Sequence, residues 1–214
     1  AARGAGPDSL EPSAEGRGNN SVPNSIVIHN WADAGLAPLP VTPHERFVVG
    51  YSGNLGRAHE FETMLEAMRR LPDVDFRFNG GGAQLAAVRA VAPSNATFHP
   101  YVPREELAAT LSKADVHLVS LQPQLEGLIV PSKYYGIAAA GRPTIFIGDP
   151  EGEIGRILTR TQTGFVVAHG DSEGLARTIL SLAREPHLAL DHGRRARTLL
   201  ERADDLPFAV SAWE

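Results

Sequence analysis

Apolar residues fall in two alternating rhythms along the chain. Short apolar-rich runs such as Phe47–Tyr51, Val74–Phe78, Val116–Leu121 and Thr144–Ile147 have the look of strands. Between them, Phe61, Leu65, Met68 and Leu71 recur at helical spacing. Taken in order, the pattern predicts strands at Phe47–Tyr51, Val74–Phe78, Ala96–His99, Val116–Leu121, Thr144–Ile147 and Phe165–Val167. It predicts helices at Phe61–Leu71, Ala83–Val91, Glu105–Ser112, Ser132–Ala140, Ile154–Thr159, Ser172–Arg184 and His187–Ala203. Pro103 sits at a helix start, Gly141 at a helix stop, and Pro186 between the last two helices. A further short apolar run, Ile26–Ile28, is stopped by His29-Asn30.

Several strands are continuously apolar and do not alternate, which marks strands covered on both faces, as in parallel sheets. Strand–helix units repeated with short connections predict an α/β, Rossmann-like doubly wound parallel sheet in a single domain. Ligands of such sheets bind beyond the carboxyl ends of the strands. The loops 52–60, 79–83, 99–104, 121–132 and 148–153 are therefore the places to look for function. Residues 1–24 break the pattern, because they are Gly, Pro, Ser, Asn and Glu with almost no large apolar residue. Such a segment cannot offset its ordering entropy by burial and is expected to be a leader or linker, with residues 25–214 forming the domain.

Composition narrows the function classes. The 214 residues suffice for one domain with a core, and 43% hydrophobic content is that of a globular protein. With no cysteine there is no disulfide framework, thiolate metal site or cysteine nucleophile. That composition fits a reducing, cytoplasmic location. A net charge of −5 argues against a nucleic-acid partner. No apolar run approaches the roughly 20 residues of a membrane helix. The chain opens at Ala1 and not at Met, so its length need not be the natural one.

Four loops carry candidate chemistry. In "GYSGNLGRAHE", residues 50–60, Gly53 and Gly56 lie between a strand and a helix, with Arg57 and His59 beside them. Backbone N–H groups and a helix N-terminus could cradle a phosphate there, but an ordinary tight turn has the same sequence. The spacing is G-x-x-G-x-x-G, so the dinucleotide fingerprint is not met, and no Walker pattern occurs. In "FNGGGAQ", residues 78–84, Gly80–Gly82 permit close approach of a ligand or simply a flexible turn. In "LEGLIVPSK", residues 125–133, Ser132 is a candidate N-cap. Lys133 at a helix N-terminus is disfavoured by the dipole, which an anion site would explain and a solvated lysine would not need to. Asp149, Glu151 and Glu153 follow a strand, with a capping role for Glu153 at least as natural as ligand contact. The histidines have no metal-ligand spacing, and no G-x-S-x-G nucleophile elbow is present.

Taken in order, "IVIHNWADAGLAPLP", "FVVGYSGNLGRAHEFETMLEAMRRLPDVDFRFNGGG", "ATFHPYVPREELAATLSKADVHLVSL", "EGLIVPSKYYGIAAAGRPTI" and "TGFVVAHGDSEGLARTILSL" resemble the C-terminal half of GT-B-fold retaining glycosyltransferases, the group 1 or family-four class. "VPSKYYGIAAAGRP" is similar to members that build bacterial surface polysaccharides. The resemblance implies a nucleotide-sugar donor domain, with UDP the first expectation and GDP the second. It needs no divalent metal or other cofactor. The acceptor site would lie in an N-terminal domain, without which the chain is expected to bind a donor weakly and not to transfer. Any membrane association would come through that other half.

Position by position, the family's Arg after the first-loop glycine and its Lys five residues on grip the donor diphosphate. Those positions hold Asn54 and His59 here, with Arg57 in the same loop. Glu126 matches the first Glu of the family's paired-Glu motif and is the implied catalytic group, facing the donor sugar. Gly136 stands where the second Glu would bind the ribose. The backbone of Gly127, Leu128 and Ile129 would meet the phosphates with Ser132 and Lys133, completing a set with Gly53, Gly56 and Gly81. These departures leave open a non-transferring nucleotide-sugar module or an epimerase-like half. A nicotinamide-dependent dehydrogenase is disfavoured because the second strand closes on Asn79-Gly80 and not on an acidic residue. A receiver-like domain would need an acidic cluster after the first strand, which is not present.

Overall fold

A computed structural model describes residues 36–203. The proposed leader at 1–24, the run Ile26–Ile28 and the tail after Ala203 lie outside those residues. Six strands form one fully parallel sheet: β1 Val48–Asn54, β2 Asp75–Gly81, β3 Ala96–His99, β4 Val116–Ser120, β5 Thr144–Ile147 and β6 Gly164–Val167. Their order is β3-β2-β1-β4-β5-β6. The chain starts in the middle, winds to one edge, and then returns to wind to the other. The helices are α1 Glu62–Arg70, α2 Leu85–Val91, α3 Leu107–Leu111, α4 Lys133–Ala139, α5 Glu153–Thr161, α6 Ser172–Arg184 and α7 Pro186–Ala203. No helix among the described residues is long and apolar enough to cross a membrane.

Alternation along each strand divides the core between the two faces. Val49, Tyr51, Phe76, Phe78, Leu118 and Ile147 pack under α1 and α6 in one buried cluster. Val119 and Phe146 point the other way, into a second cluster with Tyr134, Tyr135 and Ile137 of α4 and Ala196 of α7. Met64, Leu65, Ala67 and Met68 are buried on α1, and of these Leu65 and Met68 belong to the helical spacing read from the sequence. Asn95 ties that helix to the sheet, its Nδ2 donating to the carbonyls of Met68, Leu71 and Val74 at 3.2, 2.8 and 3.0 Å. Asp171 caps α6, accepting from the Gly174 N–H at 2.7 Å.

Four details differ from the sequence-based expectation. First, β1 and β2 run past Tyr51 and Phe78 into the glycine loops, with Gly53 opposite Gly80 and Asn54 opposite Gly81. Gly80 has φ +135°, and a Cβ there would collide with the Gly53 carbonyl. The triple glycine thus lets two strand ends meet before it does anything for a ligand. Second, the helix expected at Glu105–Ser112 begins as a 3₁₀ turn at Arg104–Glu106, and another 3₁₀ turn lies at Pro123–Leu125. Third, Ser132 occupies the position before α4 but makes no side-chain cap bond. Pro186 does not separate two helices from outside; it is the first residue of α7, where its missing N–H costs nothing.

Candidate functional site

The strand order reverses between β1 and β4, so the loops leaving these strands diverge and open a crevice at their carboxyl ends. A cleft of about 800 Å³ lies there. Its floor is stitched by the first loop and the end of β4. Gln122 N–H donates to the Ala58 carbonyl at 2.8 Å, and the Ser120 hydroxyl to the Glu60 carbonyl at 2.8 Å. His59 Nδ1 lies 2.7 Å from the Ser120 carbonyl oxygen. A carbonyl can only accept, so Nδ1 carries the proton and Nε2 is left as an acceptor.

Lys133 points its ammonium into this crevice from the first turn of α4. Nζ donates to the Tyr51 hydroxyl at 2.5 Å, to the Asn54 carbonyl at 3.3 Å, and to His59 Nε2 at 3.3 Å. It also stands 4.0 Å from the centre of the Tyr51 ring, a cation–π distance. Tyr51 in turn donates to the Asn54 carbonyl at 3.1 Å. All three hydrogen-bond acceptors are neutral. Desolvation therefore pushes Lys133 down to about 7, with no carboxylate among these contacts to hold it up. The same burial, with the neighbouring Lys133 charge, pushes His59 down to about 4 and keeps its imidazole neutral. Burial raises the Tyr51 phenol far above its ordinary range, so it stays a hydroxyl. The result is a partly buried cation on neutral supports, open on its cleft side to a negative charge.

The structure brings together Gly53, Asn54, His59, Ile129, Ser132 and Lys133 in the cleft wall. The remaining predicted residues stand outside that lining. Arg57 is exposed. Gly56 shapes the turn, its carbonyl accepting from His59 N–H at 3.1 Å and from Gln84 Nε2 at 3.0 Å. Gly81 lies under the Tyr101 ring, where a Cβ would come within 2.9 Å of Cε2. Gly127, with φ +77°, and Leu128, 76% exposed, project outward. Glu126 turns its carboxylate towards Gly152 at the start of α5, and a Cβ on Gly152 would collide with it. Glu153 follows at the first position of α5, and Asp149 accepts from the Glu151 N–H at 2.8 Å.

Sequence reasoning missed Tyr51, Asn79, Tyr101 and Arg104. Tyr51 has the look of a core strand residue, and nothing local signals that its hydroxyl meets a lysine 82 positions away. Tyr101 and Arg104, which line the cleft, lie in or next to a loop that the α/β pattern already flagged. The sequence also carries one Asp-x-Asp triplet, Asp73-Val74-Asp75. Its carboxylates lie 3.9 and 3.1 Å from the Arg46 guanidinium at the amino end of β2, away from the cleft. Among the described residues no three His, Asp or Glu side chains gather as a metal site.

A parallel sheet in this order, with a lysine ammonium at its switch point, defines a Rossmann-like α/β domain. The profile of the family described as "Glycosyl transferases group 1" matches residues 46–185, and the chain belongs to that family. WbjE of Pseudomonas aeruginosa, named as a glycosyltransferase, is 31% identical over 175 residues, which are 73% of this chain and 44% of WbjE. WcaI of Escherichia coli, named as a colanic acid biosynthesis glycosyl transferase, is 28% identical over 85% of this chain and 48% of its own length. The chain thus spans about half the length of these relatives. Among solved structures, a TarM mutant of S. aureus in complex with Fondaparinux, alpha-GlcNAc-glycerol and UDP superimposes with a TM-score of 0.70 at 16% identity. It covers 91% of this chain and 39% of TarM. The fold is that of GT-B glycosyltransferases.

Proposed function

We propose that residues 36–203 form the donor-binding domain of a glycosyltransferase that moves a sugar from a nucleoside-diphosphate sugar, UDP before GDP, to a polysaccharide or lipid-linked acceptor. The observation that carries this reading is the Lys133 ammonium, set over the switch-point cleft on Tyr51, Asn54 and His59. It stands beside the positions where the family's Arg and Lys are replaced by Asn54 and His59, and it supplies from α4 the charge that those two positions lack. Family membership and the UDP in the TarM complex support the choice of ligand.

In this reading the diphosphate rests against Lys133 and the N–H groups around Ser132. The exposed Tyr101 ring, at the same cleft, offers a face for the base. During transfer the bond from the anomeric carbon to the diphosphate oxygen breaks as the bond to the acceptor oxygen forms. The acceptor's hydroxyl proton passes to the departing diphosphate oxygen, and the charge that develops on that diphosphate is held by Lys133. The acceptor site would lie in an N-terminal domain, and no divalent metal is required. Glu126 would face the sugar only after turning from Gly152. That placement, with Gly136 at the ribose position, favours a non-transferring nucleotide-sugar module as the second reading.

Calorimetric titration with UDP, GDP, ADP and NAD tests the first reading. Binding of a nucleoside diphosphate and not NAD, weakened about tenfold to a hundredfold by Lys133→Ala, is expected. NAD binding alone, or no effect of the substitution, defeats it. Glu126→Ala should weaken the nucleotide-sugar more than the bare nucleotide, and equal losses remove Glu126 from the sugar contact.

A further inference from the structure

A second cavity, of about 460 Å³, lies at the opposite edge of the sheet, beside the amino ends of β1 and β2. Arg46, Arg77, Lys113 and His44 supply its basic lining, with the hydroxyl residues Ser94 and Thr97 beside them. Two of the four basic groups are already matched. Arg46 lies 3.1 Å from Asp75, which also lines the cavity, and His44 lies 3.1 Å from Asp115. Among the described residues, Arg77 and Lys113 have no carboxylate partner, and the Arg77 Nε is buried without a hydrogen-bond partner. A buried donor left unpaired costs free energy that a bound acceptor would return. Both charges also reach His99, lowering it together with burial, so their fields overlap on this side of the sheet.

We infer that this cavity is a binding site for a phosphate-bearing ligand, separate from the donor cleft, with Arg77 and Lys113 as its charged contacts. The guanidinium fork matches two oxygens of a tetrahedral oxyanion, Lys113 adds a point charge at the mouth, and the Ser94 and Thr97 hydroxyls offer neutral donors. Asp75, held by Arg46, confines the anion to the Arg77 and Lys113 side. The volume is within the range of small-molecule sites. A free phosphate ester and a phospholipid headgroup present the same group to these residues. The inference does not depend on the reading of the donor cleft.

The test uses the chain carrying Lys133→Ala, so that the cleft is silenced. Pyrophosphate is titrated while backbone amide resonances are followed, and sedimentation is measured with phosphatidylcholine vesicles with and without phosphatidic acid. Saturable shifts at Thr97 and Lys113, weakened about tenfold by Lys113→Gln and abolished by Arg77→Gln, are expected for a soluble ligand. Vesicle binding that needs phosphatidic acid and is lost in the same variants assigns the headgroup instead. Lys113 is exposed, so its substitution keeps the test valid if Arg77→Gln disturbs β2. Absence of both responses, or responses indifferent to Lys113→Gln, overturns the inference. Pyrophosphate shifts confined to the donor cleft do so as well.

Discussion

At the scale of single residues, the site is a matter of where protons sit. Lys133 is pushed down to about 7 by desolvation, while UDP keeps a constant charge above about pH 7. The affinity of the protein for UDP should therefore fall as pH rises from about 7 to 9, and Lys133→Ala should flatten that profile in titrations across the range. Stability moves in the opposite direction. The unfolded chain holds the Lys133 proton up to its ordinary value of 10.5, the folded chain only to about 7, so between these values the unfolded state binds more protons. This residue alone makes stability rise with pH in that window. His59 and His117 are both pushed down from 6.5 to about 4 by burial. They stay neutral in the fold while the unfolded chain protonates, so stability should drop as pH falls from about 6.5 towards 4 in denaturant melts. Tyr51→Phe removes the 2.5 Å bond to Lys133 without changing the ring. It should weaken UDP binding by about 1 kcal/mol, a few-fold in affinity, with the melting temperature little changed.

At the scale of elements, α1 and β2 contribute side chains to one buried cluster. Met68 is fully buried between α1 and the sheet, and Met68→Ala should cost about 2–5 kcal/mol in chemical denaturation. The helix spacing made that legible. The role of Asn95 was not legible, since an Asn after a helix reads as an ordinary turn, and only the fold shows its amide shared among three carbonyls. The glycine loops show the same limit from the other side. Gly53, Gly80 and Gly81 were visible as a cluster with two competing explanations. The close approach of β1 and β2, which no local pattern encodes, accounts for Gly80.

At the scale of the whole molecule, the strand order decides which loops share a cleft. Winding outward from β1 in both directions puts the loops after β1 and β4 beside each other, although more than sixty residues separate them. In the metal-independent scheme proposed here, Lys133, and not a metal ion, holds the diphosphate charge at the switch point. Adding a chelator should therefore leave the UDP dissociation constant unchanged within error, and a loss on chelation that magnesium restores would refute the scheme. The acidic triplet at Asp73–Asp75 does not compete with this account, because Arg46 holds it at the amino end of the sheet.

The periods of apolar residues, by themselves, determined the α/β class, the order of elements and the loops in which chemistry had to lie. Those are local properties, set by side-chain burial on one face or two. The ordered motifs also marked Lys133 and the first loop as candidates. Only the tertiary structure decided which candidates meet. It set Lys133 on Tyr51, Asn54 and His59, left Arg57 in solvent and turned Glu126 to Gly152. The physical reason is that a pKa, a cradle or a charge balance belongs to groups brought together across the sheet, and spacing along the chain does not carry that distance.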